Sequence, residues 1–285
     1  ETLLDAEKLK PSEIEKLNHG TTVATNALLQ DRLPDIGMIT TRGFRDILEL
    51  GRQRRPHLYN LDIDKPKSPA PRRFRFELNE RIDADGNIQT KLDQEELNDI
   101  IAYLRSSNVP AIAVCLLHSY KNPSHEIAVR DTLSKLLPGS LVSISSEVLQ
   151  EFREFDRFSS TVLNAALLPV MRGYLDELGN RTRSFGISSP PLICSSYGCN
   201  VSIETAKDMP ITTMVSGPSA GVVGAVAIGH SAGFNNLITL DMGGTSTDVC
   251  LIQESSPLIS RQREIGGWPI TVPSVDVLSI GAGGG

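Results

Sequence analysis

The sequence predicts an α/β protein of two domains, and three observations carry that class. Ala111–Leu117 is a fully apolar strand between two amphipathic helices, an order that implies parallel pairing. Leu237–Leu240 and Val249–Ile252 are apolar runs flanking a tight polar turn, which reads as a hairpin. A helix rich in small residues, Ser216 to about Ala232, runs straight into that hairpin. The chain has 285 residues, 40% hydrophobic and 22% charged, enough for a sizeable core. Its net charge of −6 gives no global attraction for nucleic acid or an anionic membrane. No apolar run reaches transmembrane length and ETLLDAEKLK is not a signal peptide, so no membrane partner is expected. The four cysteines (Cys115, Cys194, Cys199, Cys250) show no metal or disulfide spacing, which fits free thiols in a reducing cytoplasm.

Taken in order, Ser12–Leu17 is a helical lead-in. His19-Gly20-Thr21-Thr22 precedes the helix Val23–Gln30, and either threonine can cap it. The same Gly-Thr loop at a helix N-terminus can receive an anion or a polar substrate, so both readings stand. Ile36–Thr40 is a strand. Arginines 42, 45, 52, 54 and 55 follow it without stacking aromatics, which points to solvated or ion-paired faces rather than nucleic acid. Lys65–Pro71 is a Pro-rich connection. Arg73–Ile82 and Ile88–Lys91 flank the hairpin turn Asp85-Gly86.

Asp93 caps the next helix, with Glu96 at the capping-box position and Leu97, Ile100, Ile101 and Leu104 as its buried stripe. Pro123 opens the helix after the apolar strand, Pro138-Gly139 stops it, and Leu141–Ser145 is a strand. His118 stands just past the end of the apolar strand, where α/β sheets tend to bind ligands; a purely structural histidine fits there too. Glu147–Asp156 is charged and amphipathic. Phe158–Leu178 is a long helix with a kink expected at Pro169, and Gly179–Pro191 reads as a linker. Gly221, Ala225 and Gly229 form a bare stripe on the Ser216 helix, which invites a close crossing by another element.

The candidate site is the hairpin tip, Asp241-Met242-Gly243-Gly244-Thr245-Ser246-Thr247-Asp248. Gly243 and Gly244 let the backbone turn sharply and approach a ligand. Successive N–H groups in such a turn form an anion-binding concavity, and Thr245 and Thr247 add hydroxyl donors. Asp241 can hold a hydrated Mg²⁺, and Asp248 can orient a water or brace the turn. By itself the motif equally describes an ordinary glycine turn.

The small-residue helix followed by a D-x-G-G-T hairpin resembles the actin, hexokinase and heat-shock-chaperone ATPase superfamily. Six ordered segments are similar, more narrowly, to the hydantoinase A/5-oxoprolinase family: HGTTVATNALL, TTRGFRDILELGRQRRP, AVCLLHSYKNP, SGPSAGVVGA, LDMGGTSTDV and IGAGGG. They run from Asn18 to Gly285. The resemblance implies a ribonuclease-H-like, two-domain ATPase fold, incomplete in this chain. It would divide into a hydantoinase A N-terminal-type domain over residues 1–185 and the start of a second ribonuclease-H-like domain over 186–285. The family's first phosphate hairpin has no match here and the family continues past IGAGGG, so the chain is expected to be a piece of a longer polypeptide. The turn that reads S-N-G-G in the family is Ser196-Tyr197-Gly198-Cys199.

The resemblance further implies ATP and Mg²⁺ as cofactors. The substrate is expected to be a small cyclic amide of hydantoin, N-methylhydantoin or 5-oxoproline type, and the partner a hydantoinase B-type subunit or fused half. ATP would phosphorylate the lactam carbonyl oxygen. Asp241 and Asp248 are assigned to catalysis, with Asp241 on the metal. Gly243, Gly244, Thr245 and Thr247, with Ser216 and Gly217, are assigned to the nucleotide. His19, Thr21 and Thr22 are assigned to the substrate cleft. Two other functions remain open at this point: the ATP-binding subunit of an acetone- or acetophenone-type carboxylase, and a non-catalytic actin-like nucleotide-binding domain.

Overall fold

The computed structural model describes residue 4 and residues 9–53, 57, 59–60, 62–244 and 247–284. In chain order its first elements are β1 (Asn18–His19), α1 (Val23–Leu29), β2 (Gly37–Thr41), α2 (Ile47–Leu50), β3 (Arg75–Leu78), β4 (Arg81–Ile82), β5 (Ile88–Thr90), α3 (Gln94–Ser107) and β6 (Ala111–Cys115). There follow α4 (Ser124–Leu136), β7 (Leu141–Ile144), α5 (Ser145–Val148), α6 (Glu154–Ser184), β8 (Leu192–Cys194), β9 (Asn200–Ser202), α7 (Ile203–Asp208) and α8 (Ser216–Ser231). The last are β10 (Leu237–Met242), β11 (Thr247–Gln253), β12 (Ser256–Pro257), β13 (Ile259–Ser260), β14 (Arg263–Ile265), β15 (Trp268–Ile270), β16 (Ser274–Val275) and β17 (Val277–Ile280). Among the described residues no helix is long and apolar enough to cross a membrane.

Contacts divide the chain into two compact units, Ala27–Val170 with Gln262–Val272, and Glu1–Asn26 with Met171–Arg261 and Pro273–Gly285. Neither is contiguous, so these units do not follow a single cut at 185/186. The reason is local to the second unit: β1, from the chain start, pairs in parallel with β8, Asn18 to Leu192 and His19 to Ile193.

The first unit is a three-layer α/β sandwich. Its sheet has the order β3-β2-β6-β7, and all three pairings are parallel. Strands β2 and β6 are buried at every position, as a sheet covered on both faces requires. Leu97, Ile101 and Leu104 of α3 and Val129 and Leu133 of α4 pack on one face. Phe158, Val162, Ala165 and Ala166 of α6 pack with the other. The Asp93 cap is as expected, accepting from the N–H groups of Glu95 and Glu96 at 3.1 Å each. Glu96 closes no capping box; its carboxylate takes the Asn79 N–H at 2.6 Å and pairs with Arg42.

Two expectations are corrected here. The arm Arg73–Ile82 is not one strand: β3 joins the parallel sheet, and only β4 forms the hairpin with β5. The break falls at Asn79 and Glu80: Asn79 gives its N–H to Glu96 and accepts the Asp93 N–H at 3.1 Å, and the buried Glu80 carboxylate holds Thr41 and His125. Helix α6 contains Pro169 and continues to Ser184, so Gly179–Ser184 is helical rather than linker. The Thr182 hydroxyl donates to the Leu178 carbonyl at 2.8 Å, and the bare side of Gly179 is approached by Ile203.

In the second unit, β10, β11 and β17 form an antiparallel sheet with α8 on one face. Val222 of α8 packs there with Cys250, Ile252, Val275 and Val277.

Candidate functional site

The expected hairpin forms, with Leu237 opposite Ile252 through Asp241 opposite Asp248 and Met242 opposite Thr247. Side chains alternate across a strand, so this register sorts the candidate residues by face. Thr239, Asp241 and Asp248 share the face that Cys250 and Ile252 turn toward α8. Thr247 and Met242 point to the other face. Asp248 accepts a hydrogen bond from the Ser279 hydroxyl. Asp241 is exposed and has no partner among the described residues. Two carboxylates directly opposite on one face repel each other, and a cation relieves that repulsion.

A groove of about 540 Å³ runs between α8 and the hairpin, with Pro218, Gly221, Ala225, Thr239, Asp241 and Asp248 among its lining residues. The small stripe of α8 thus opens onto the carboxylate pair. The close approach expected along the stripe occurs at Gly229, whose bare side meets the Leu237 side chain and the Phe234 carbonyl. The crossing element there is the following strand, β10. Gly221 has nothing within contact distance of the position a Cβ would take.

The tip is held by the last segment of the family resemblance, IGAGGG. Gly284 N–H donates to the Gly243 carbonyl at 2.9 Å, and the Thr247 hydroxyl donates to the Ala282 carbonyl. The run Gly281-Ala282-Gly283-Gly284 therefore lies along the glycine turn. Its glycine density was the signal available, since a backbone packed on a backbone leaves little room for side chains. Gly243 and Gly244 are exposed. Thr245 and Ser246 lie outside the described residues.

The structure brings the HGTT and SGP segments together although 195 residues separate Thr21 from Ser216. Thr21 N–H donates to Ser216 Oγ at 3.4 Å, and Ser216 Oγ–H donates to the Thr21 carbonyl at 3.2 Å. Both residues are buried, and a Cβ on Gly20 would stand 3.9 Å from Gly217 Cα. The Thr21 hydroxyl, two residues ahead of α1, accepts from Val23 N–H, the first of that helix, at 3.2 Å. Thr22 is exposed and accepts from the Asn26 amide at 3.2 Å. His19 Nε2 is hydrogen-bonded to the Tyr174 hydroxyl, and partial burial holds its pKa below the ordinary histidine value. Val215, at the N-terminus of α8, has φ +58° and gives its N–H to Thr25 Oγ1 at 3.1 Å. That left-handed conformation in a β-branched residue is strained. Neither Tyr174 nor Val215 carried a sequence signal, because their roles depend on contacts made far along the chain.

Of the arginine cluster in the first unit, Arg42 is ion-paired with Glu96 and Arg52 with Asp156, as expected, while Arg45 donates to the Arg72 carbonyl at 2.9 Å. Arg54 and Arg55 lie outside the described residues. Past the end of β6 the structure shows a second polar centre. Glu126 is fully buried and accepts from Leu116 N–H (2.8 Å), Ser145 Oγ (2.6 Å) and Ser146 N–H (2.8 Å), and burial raises its pKa. Nearby, Arg157 donates to the Leu116 carbonyl at 2.8 Å, and Glu80 bridges His125 and Thr41. These bonds tie down the loop that carries His118, whose φ is +54°.

With this geometry in view, the comparisons with known proteins are specific. The sequence models of the hydantoinase/oxoprolinase N-terminal region and of hydantoinase/oxoprolinase match residues 1–137 and 157–285. The chain belongs to the hydantoinase/oxoprolinase family. It is 32% identical to caprolactamase subunit alpha of Pseudomonas jessenii over 94% of this chain and 39% of that protein. The crystal structure of that ATP-dependent caprolactamase superposes with a TM-score of 0.91, covering 100% of this chain and 42% of the other. Acetophenone carboxylase gamma subunit of Aromatoleum aromaticum is 31% identical over 99% of this chain and 40% of its own length. 5-Oxoprolinase 1 of Arabidopsis thaliana is 30% identical over 98% of this chain and 23% of its own length. The chain thus spans less than half of each of these relatives, and its α/β fold matches that part of the ATP-dependent caprolactamase.

Proposed function

We propose that this chain belongs to the ATP-binding part of an enzyme that hydrolyses a cyclic amide at the expense of ATP. The observation that carries the reading is the Asp241–Asp248 carboxylate pair beside a glycine turn, in a chain related to caprolactamase and 5-oxoprolinase. The N–H groups of Gly243 and Gly244, with Thr245, receive the phosphates. Thr247 contributes by fastening the tip to Ala282, since its hydroxyl is engaged there. Asp241 holds Mg²⁺, and Asp248 braces the pair through Ser279. One or two carboxylates suit Mg²⁺, an ion that keeps waters and takes phosphate oxygens. An ion held by Asp241 would supply positive charge to offset that of the transferring phosphoryl group.

The γ-phosphoryl group passes to the lactam oxygen and ADP leaves. A first water then attacks the carbonyl carbon, the C–N bond breaks, and the resulting acyl phosphate is hydrolysed by a second water. The HGTT and SGP segments form the wall presented to substrate, with His19 and Thr22 on one side and Gly217 on the other, and the buried Thr21–Ser216 clasp holds the two together. A second, hydantoinase B-type subunit or fused half completes the enzyme, which works in the cytoplasm. The relationship to acetophenone carboxylase gamma subunit supports a second reading, a carboxylase in which bicarbonate is the phosphorylated species.

A coupled ADP-release assay on the full-length polypeptide with its partner separates the two. ATP turnover driven by a lactam or 5-oxoproline without bicarbonate is the expected result. Turnover that requires both bicarbonate and a ketone overturns it. Asp241→Ala is expected to abolish turnover in a folded protein, and wild-type turnover from that variant removes the hairpin from the mechanism.

A further inference from the structure

We propose that Tyr174 is a positioning residue that fixes His19 as its Nδ1–H tautomer, so that His19 serves the substrate as a hydrogen-bond donor rather than as a base. The proposal rests on the reading of the HGTT segment as a cleft wall. Its structural half stands on contacts alone. Tyr174, on α6, places its hydroxyl on His19 Nε2, with the two rings 5.9 Å apart and tilted by 39°. Partial burial favours the uncharged imidazole, so one ring nitrogen carries the proton and the other a lone pair. A phenol O–H is the stronger donor of the two groups, and an imidazole nitrogen is a better acceptor than a phenol oxygen. The Tyr174 proton therefore points at Nε2, which leaves the imidazole proton on Nδ1. Among the described residues Nδ1 has no hydrogen-bond partner, and the side chain is only half-buried, so this N–H is free to meet a ligand oxygen.

The mounting is rigid. His19 lies in register with Ile193 in the parallel β1–β8 pair. The next residue, Gly20, packs against Gly217, and Thr21 is clasped by Ser216 from both of its backbone groups. A donor fixed in this way stabilises charge developing on a carbonyl or phosphoryl oxygen without reorganising. It carries no full positive charge to be neutralised when the substrate leaves. The oxygen it addresses is that of the amide whose phosphorylation was proposed above.

Two experiments test the two halves separately. In the 285-residue chain, ¹⁵N-detected imidazole NMR is expected to show His19 with a protonated Nδ1 and a lone pair on Nε2. Tyr174→Phe is expected to release it toward the Nε2–H form while the fold persists by circular dichroism. An Nε2–H signature in the wild type, or an unchanged spectrum in Tyr174→Phe, overturns the tautomer assignment. In the full-length enzyme the amide nitrogen of His19→Asn stands where Nδ1 stood, whereas that of His19→Gln stands nearer Nε2. His19→Asn is expected to turn over at least ~10-fold faster than His19→Gln, and Tyr174→Phe to lower kcat by about 10-fold with KM little changed. The reverse order of the two His19 variants, or equal loss in both, overturns the donor role. If the wild type shows no lactam-driven turnover, the proposed activity fails while the NMR result still decides the tautomer.

Discussion

Glu126 is a carboxylate enclosed at the end of a strand, satisfied by two backbone N–H groups and a serine hydroxyl. Deleting it orphans those donors and leaves the Arg157 guanidinium without the carboxylate charge that helps hold it. Glu126→Ala should cost about 2–4 kcal/mol in urea unfolding, where a typical exposed substitution costs a few tenths. The same residue predicts a pH dependence. Burial raises its folded pKa above the unfolded value, so the folded state binds the proton more tightly. Its contribution to stability is therefore present below the unfolded pKa and lost as pH rises through the folded one. Glu126→Gln should remove that decline, so wild type minus variant stability, measured by urea titration at several pH values, falls with rising pH. A difference that stays flat removes the assignment. Val215 makes the opposite case. Its left-handed φ suits glycine, and Val215→Gly should cost nothing or stabilise by about 1 kcal/mol in thermal unfolding, despite the lost side chain.

At the scale of elements, the glycines of α8 separate two uses of a missing side chain. Gly224 has open space where a Cβ would go, so Gly224→Ala should gain about 0.5–1 kcal/mol of helix propensity. Gly229→Ala brings its methyl against Leu237 and within 3.3 Å of the Phe234 carbonyl, and that crowding should erase the gain. Urea midpoints of the two variants test the contrast. The sequence showed where small residues lie on this helix, because their spacing of four is local information. It did not show which of them a neighbour approaches, because that depends on where β10 returns. The same division holds across the fold. The hairpin, the Asp93 cap and the apolar strand β6 were legible from period and capping chemistry. The break between β3 and β4 was not, because it turns on the bonds of Asn79 and Glu80 to Glu96, Asp93, Thr41 and His125, partners set by the tertiary fold. Likewise, D-x-G-G-T-x-T-D announced a glycine turn at a hairpin tip. Only the pairing of Asp241 with Asp248 showed that Thr247 points to the opposite face from the carboxylates.

At the scale of the whole molecule, the sheet of the second unit has two unlike faces. Leu237, Cys250, Ile252 and Val277 pack toward α8. The alternating positions carry Ile238, Leu240 and Met242 on β10, Leu251 on β11, and Leu278 and Ile280 on β17. Register places Ile238 beside Leu251 and Leu278 beside Val249. These side chains are exposed: Ile238 by 72%, Leu240 by 66% and Leu278 by 66%. An apolar patch contiguous across three strands binds apolar dyes and promotes association, whereas isolated exposed leucines do neither. The 285-residue chain should therefore enhance anilinonaphthalene-sulfonate fluorescence in its native state and show concentration-dependent sedimentation. Ile238→Lys with Leu278→Lys places two charges on that face without touching the side chains packed under α8. The pair should lower both signals while the unfolding midpoint stays within about 0.5 kcal/mol of the parent, as for ordinary surface changes. Dye binding that survives the double substitution would place its source elsewhere in the molecule. Dye binding lost together with cooperative unfolding would mean that the two positions support the hairpin itself.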